Sequence, residues 1–190
     1  MVEAALALAA DGGPVAVSVR EAARRAGVSP GAPFRHFASR DALLAAAAAE
    51  AQRRFRSEID VALSACPGDA PLLRFRALGL AYVRWAVRNP AHFEIISTAS
   101  LFDHDASGAV SDDNAEVITM TERLLAEAAA RDELGNVDLK AVQIAGRALV
   151  YGLARMKIDG HLPRWGVAPD EMERMAERAI DVFVDGISRR

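Results

Sequence analysis

The chain has 190 residues, 52% hydrophobic but only 6% aromatic, with a net charge of −3. That length allows one large or two small helical domains with a substantial core, and the alanine-rich composition favours helix almost throughout. A single cysteine, Cys66, excludes a disulfide framework within the chain and suits a reducing cytosol, and no apolar run approaches the roughly 20 residues that span a bilayer, so a cytoplasmic protein without a membrane partner is expected.

Met1 to Ala10 (MVEAALALAA) predicts a first helix, with Val2, Ala5, Leu6 and Ala9 as its buried stripe and Asp11-Gly12-Gly13-Pro14 as its stop. Glu3 precedes the apolar run and no basic segment does, which excludes a signal peptide. Ser18 followed by Glu21 has the pattern of a capping box and starts a second helix. Ala22, Ala23 and Ala26 share one face of it, and Arg20, Arg24 and Arg25 the others. Gly27 supplies the left-handed residue that ends it, and Val28 is apolar enough to tuck the turn into a core. Ser29-Pro30 opens a third helix running to Phe37. It is too short to be stable alone, so Phe34 and Phe37 are its expected anchors. Two short helices joined by a tight turn are the layout of a helix-turn-helix, whose second helix lies in the DNA major groove. From Ser18 to Arg40 five arginines and one glutamate give +4; with −3 for the whole chain, the remainder carries −7. A basic patch on an acidic protein suits phosphate contacts.

The stretch SVREAARRAGVSPGAPFRHFASRDALL, Ser18 to Leu44, resembles the DNA-binding motif of the tetracycline-repressor-like (TetR) family. The likeness covers roughly the first 45 residues. It joins the serine start, the Ala-x-x-Ala-Gly-Val-Ser turn, an aromatic-x-His-Phe ending and a basic residue just before an apolar helix. The resemblance implies an all-α, homodimeric, one-component transcription regulator, usually a repressor. By matching position it implies phosphate contacts from Ser18, Ser29, His36 and Arg40, and base reading by the face that carries Gly31, Ala32 and Arg35. Phe34 stands where the family has tyrosine, so one hydroxyl-to-phosphate bond is absent. Pro33 is tolerable only within the first turn of its helix. Family members usually carry a longer, often basic, segment before the first helix; either the true start lies upstream or this member lacks the arm that touches the minor groove.

Ser39 caps the next helix, Arg40 to about Ala65, with Asp41 in its first turn and Leu43, Leu44, Ala47, Phe55, Ile59 and Leu63 on its buried side. Cys66-Pro67-Gly68-Asp69 ends it. The domain boundary is expected near Ala45, inside this helix: residues 1–45 form a helix-turn-helix DNA-binding head, and residues 46–190 a helical ligand-binding and dimerisation body.

Four or five more helices follow. One starts at Asp69 or Ala70 and ends near Asn89, carrying Leu72, Phe75, Leu78, Tyr82, Trp85 and Ala86, and Pro90 breaks it. Ala91 to about Leu101 is a short helix. Phe102 to Asp113 has turn composition and reads as a mobile loop. Asn114 to Asp132 is a helix with Val117, Met120, Leu124 and Ala128 inward. Asp138 caps a long helix to about Ile158, stopped by Asp159-Gly160. Pro169 opens the last, which runs to about Ser188.

The last two helices present Val142, Leu149, Leu153 and Met156, then Met172, Met175, Ala176, Ala179, Phe183 and Ile187. Such stripes pack inside one subunit or between two. The resemblance implies a four-helix bundle across a two-fold axis, and two operator half-sites require a dimer. Arg147 to Leu162 (RALVYGLARMKIDGHL) is similar to a C-terminal body subtype of the family. That subtype has Trp and His-Gly where this chain has Arg147 and Tyr151-Gly152, positions that can face the body cavity.

Tyr82, Trp85, Phe93, Phe102, Met120, Gln143, Arg147 and Tyr151 are the candidates for a small-molecule site, an apolar pocket with few polar groups. Arg147, in an apolar stretch, must find an anion in a partner carboxylate or a ligand. His92, His104 and His161 are scattered, and no metal-ligand spacing exists. Asp103-His104-Asp105 could ligate a metal only if a further residue joined it. No phosphate-binding glycine loop or nucleophile elbow is present, so neither catalysis nor a cofactor is expected. The reading is a repressor released from a palindromic operator by a small molecule; the alternative is a small-molecule-binding dimer with weak or lost operator binding.

Overall fold

A computed structural model describes residues 1–28, 37–98 and 108–189, apart from the side chains of residues 108–113. The chain is all-α. Among the described residues there are eight α-helices and no strand: α1 (Val2–Gly12), α2 (Val19–Arg25), α3 (Arg40–Ser64), α4 (Pro71–Arg88), α5 (Pro90–Ser97), α6 (Gly108–Ala130), α7 (Leu139–Ile158) and α8 (Met172–Ile187). The third predicted helix lies outside the described residues except for Phe37. So do the candidates Ser29, Gly31, Ala32, Phe34, Arg35, His36 and Phe102, and the Asp103-His104-Asp105 run.

Local chemistry accounts for most of the boundaries. The Ser18 Oγ accepts the Glu21 N–H at 3.1 Å and starts α2. Gly27, at φ 67°, ends it: its N–H donates to Arg24 O and the Val28 N–H to Ala23 O, the paired bonds of a Schellman stop. The Asp138 Oδ1 accepts from the N–H groups of Lys140 and Ala141 at 2.8 and 3.0 Å and starts α7. Gly160, at φ 69°, follows its end. Pro90 ends α4 and occupies the first turn of α5, where its missing N–H costs nothing.

Three elements depart from expectation. Helix α6 begins at Gly108, so the second half of the expected Phe102–Asp113 loop is helical. Helix α8 begins at Met172 and not at Pro169. The Pro169 carbonyl instead accepts from Lys157 Nζ at 2.8 Å, and the Ala168 N–H turns back to Glu171 Oε2 at 3.4 Å, which holds the segment as a turn. Val28, expected in the core, is exposed, and so is Ala26.

The chain divides into two compact units, Met1–Arg56 with Asn89–Ala115, and Ser57–Arg88 with Glu116–Arg190. The first holds more than the expected 45-residue head, because α5 belongs to it. Ile95 is fully buried in one cluster with Ala5, Leu6, Val17, Val19, Ala22, Leu43, Leu44 and Ala47, and Phe37 packs on that cluster. In the second unit α4, α7 and α8 pack together. Small residues allow the approach: a Cβ on Gly79 would meet Val150 and Ile180, and one on Gly146 would come within 3.2 Å of both Phe75 and Phe183. Arg76 Nε donates to Asp181 Oδ1 at 2.5 Å and fastens α4 to α8.

Candidate nucleic-acid interface and ligand site

The stretch expected to read DNA is framed by two serine caps. Ser18 starts α2, and the Ser39 Oγ accepts the Ala42 N–H at 3.0 Å to start α3. The capping box is half made, because the Glu21 carboxylate turns to Arg24, with Nε 3.0 Å from Oε2. Arg25 Nη1 pairs with Asp11 at 2.5 Å. Two of the three α2 arginines therefore have local carboxylates, while Arg20 is exposed and makes no ion pair among the described residues. The salt bridges on this face are solvated and contribute little stability.

Arg40, expected at phosphate, is engaged within the protein. Its Nε donates to Val17 O and its Nη2 to Pro14 O, each at 2.9 Å, and its Nη1 lies 4.0 Å from the Asp41 carboxylate.

A polar cluster that residue patterning missed ties three helices of the first unit. Arg54 on α3 reaches Glu50 on its own helix, Glu3 on α1 and, at 3.4 Å, the Nε2 of His92 on α5. Burial, then the Arg54 charge, hold the His92 pKa below the usual imidazole value, and the bond from Arg54 holds that of Glu3 below the usual carboxylate value. The signal was weak: a glutamate, an arginine and a histidine on three separate helices share no spacing.

Three ligand candidates meet in the second unit. The Arg147 guanidinium stands 4.6 Å from the Tyr82 ring centroid and 5.6 Å from that of Tyr151, at cation–π distance from both. Arg147 and Tyr151 are exposed and Tyr82 is buried, and that burial pushes the Tyr82 phenol pKa up. Arg147 has no carboxylate partner among the described residues and stands against two aromatic rings. The other candidates are part of the packing. The Gln143 Nε2 donates to Ile118 O and Thr121 Oγ1 at 3.1 and 2.8 Å, and its Oε1 accepts from Lys140, which ties α7 to α6. Met120 and Trp85 are buried, and Phe93, which belongs to the first unit, is fully buried.

A groove of about 370 Å³ opens between α4 and α8, with Leu80, Val83, Val87, Met172 and Ala176 on its apolar surface. Arg84 stands at it, 2.6 Å from both Glu173 and Glu177. None of the predicted ligand residues among the described ones lines it. Its α4 side was legible as a second stripe, at positions 80, 83 and 87, beside the stripe read as core.

Of the expected interface residues, Val142, Met172 and Ala176 are buried within one subunit, the last two along the groove beside α4. Phe183 packs against Gly146. Leu149, Leu153 and Ala179 are half-buried and Met175 is exposed. The largest exposed apolar side chains nearby are Ile144, 60% exposed, and Val182, 73%. Each continues a spacing of three and four, Ile144-Ala148-Tyr151 on α7 and Met175-Ala179-Val182-Gly186 on α8. Among the described residues no group of His, Cys, Asp or Glu could hold a metal ion, and no helix is long and apolar enough to cross a membrane.

Comparison with known proteins matches residues 1–47 to the model for bacterial regulatory proteins of the tetR family, and residues 75–183 to a tetracyclin repressor-like C-terminal domain. The HTH-type transcriptional repressor KstR of Rhodococcus jostii (strain RHA1) is 30% identical over 190 residues, which is all of this chain and 84% of that protein. A solved protein of unknown function from Rhodococcus sp. RHA1 superposes with a TM-score of 0.82 at 28% identity, covering 99% of this chain and 93% of the other. A bacterial regulatory protein of the tetR family from Rhodococcus RHA1 gives 0.75 at 20% identity, covering 100% and 95%.

Proposed function

The chain belongs to the tetR family of bacterial regulatory proteins and is a DNA-binding transcriptional regulator; on that premise we propose that it is a cytoplasmic repressor that leaves a palindromic operator when a small molecule occupies its body. The observation that carries the DNA-binding half is the head itself, with α2 capped at Ser18 and stopped at Gly27 inside the matched residues 1–47. We place the DNA-binding part in residues 1–45. Ser18, Ser29 and His36 meet phosphate, and Gly31, Ala32 and Arg35 face the bases, while Phe34 has no hydroxyl to give a phosphate.

The body works as a homodimer. Its interface is the open face of α7 and α8, namely Ile144, Leu149, Leu153, Met175, Ala179 and Val182. The effector meets Tyr82, Arg147 and Tyr151: an exposed guanidinium held over two rings offers directed N–H donors to an oxygen-bearing ligand. Helix α3 is the connecting element, since its residues 40–56 belong to the first unit and 57–64 to the second. Half-sites one DNA turn apart, about 34–36 Å, make simultaneous docking sensitive to shifts of a few ångströms at each head. Release requires that the effector bind the non-operator state more tightly, because equal affinity shifts nothing.

Selection from a pool of random duplexes tests this reading. The full-length protein should enrich an inverted repeat with half-sites about one turn apart. Failure to enrich any sequence at low salt would favour the small-molecule-binding dimer without an operator. For the effector, Arg147→Met should change the response while leaving operator affinity without ligand unchanged. An equal fall in both would make Arg147 a structural residue.

A further inference from the structure

The residues that read DNA lie between two points that a single side chain holds together. Val17 is the last residue before the Ser18 cap of α2, and Arg40 is the first residue of α3. Everything between them is the DNA-reading stretch. The Arg40 Nε donates to Val17 O and its Nη2 to Pro14 O, both at 2.9 Å. Pro14 O already accepts the Val17 N–H at 3.2 Å, closing the short turn Pro14–Ala16. One fork therefore grips both the turn and the residue that follows it.

We infer that Arg40 is a positioning residue for DNA reading: its guanidinium closes the neck of the Ser18–Ser39 stretch and sets the angle of α2 against the first turn of α3. The inference rests on the DNA-binding reading above. Three features support it. The planar guanidinium carries N–H donors in a fixed fork, which suits two carbonyls at a set separation, and a lysine ammonium cannot reproduce that geometry. The Val17 side chain is 1% exposed, and Val19, two residues on, is also buried. The carbonyl of Val17 is thus pinned by Arg40 while its side chain is pinned by the core, and Ser18 between the two valines is held in the extended conformation that a cap needs (φ −139°, ψ 153°). Finally, two of its five N–H donors are committed to these carbonyls, so turning the whole fork to a phosphate would break both bonds.

Charge and fork can be separated. A phosphate contact is served by any cation, so Arg40→Lys preserves it and Arg40→Gln removes about one unit from the slope of log K against log salt. A neck clamp predicts that both variants fail alike. Using the full-length protein and a duplex that the wild type enriches from a random pool, both variants should lose about tenfold or more in affinity, since bonds from a charged donor are lost. The salt slope should stay at the wild-type value. The ratio of binding to the selected duplex over a scrambled one should fall, which a simple loss of folded protein would not cause. Amide exchange at residues 18–22 should quicken while that of α7 is unchanged. Wild-type affinity in Arg40→Lys together with a flattened slope in Arg40→Gln would overturn the clamp in favour of phosphate. Wild-type behaviour in both variants would also overturn it, as would equal quickening in α7. If Arg40→Gln does not fold, Arg40→Lys carries the test alone. A wild type that enriches no duplex overturns the DNA-binding reading itself.

Discussion

His92 shows how a single residue makes the first unit sensitive to pH. It is half-buried on α5, and burial with the neighbouring Arg54 charge depresses its pKa, while Glu3 acts weakly the other way. Glu50 completes the group around Arg54. The unfolded chain takes up a proton near pH 6.5 and the folded one only below that, so the unfolded state binds more protons in this window. The contribution is complete above pH 6.5 and is lost as pH falls through the lower, folded value. Thermal unfolding followed from pH 7.5 to 5.5 should show a falling midpoint, and His92→Gln should flatten that dependence. An unchanged dependence in the variant would put the titration elsewhere. Single residues were also where sequence reading was least complete. Arg40 was legible as a basic residue before an apolar helix, but the Pro14 and Val17 carbonyls it grips are more than 20 positions away and leave no local spacing to read.

At the scale of elements, caps and stops were the legible part, because their chemistry is local. Ser18, Gly27, Ser39, Asp138 and Gly160 each sit where their short-range hydrogen bonds or backbone angles require. Ser18→Ala removes the acceptor for the Glu21 N–H and should cost about 1 kcal/mol, read as a lower unfolding midpoint in denaturant; no change would mean that water or another group replaces the hydroxyl. The misplaced starts have a different origin. Gly108-Ala109-Val110-Ser111 reads as a turn by composition, yet the helix begins there. Pro169 looked like a helix start, but its carbonyl is taken by Lys157 on α7, a tertiary contact. Close packing between elements was equally hidden. No local spacing marks Gly146, yet Phe75 and Phe183 close over it. Gly146→Val should cost about 1–3 kcal/mol through overpacking, with a lowered unfolding midpoint as the readout; a neutral effect would show that the two rings can move apart.

For the whole molecule, the question is which apolar surface a second copy would cover. Periodicity predicted the two helices, and their stripes are present, but a stripe alone does not say which half faces inward. Val142, Met172 and Ala176 are buried, the last two along the groove beside α4, while Ile144 and Val182 remain exposed. This changes the choice of probe. Phe183→Glu would place a charge beside Phe75 and Gly146 within one subunit, so loss of a dimer in that variant would be confounded with unfolding. Val182 is 73% exposed in the single chain, so Val182→Glu leaves the monomer core intact. At a C2 interface the same residue enters from both copies, so the substitution introduces two charges into the interface. Light scattering at micromolar concentration should then give the monomer mass, with helical content and unfolding midpoint close to those of an unaltered monomer. Operator affinity should fall steeply, because a single head engages one half-site only. A Val182→Glu protein that remains dimeric would move the interface off this face of α8, and Ile144→Glu would then test whether α7 carries it alone.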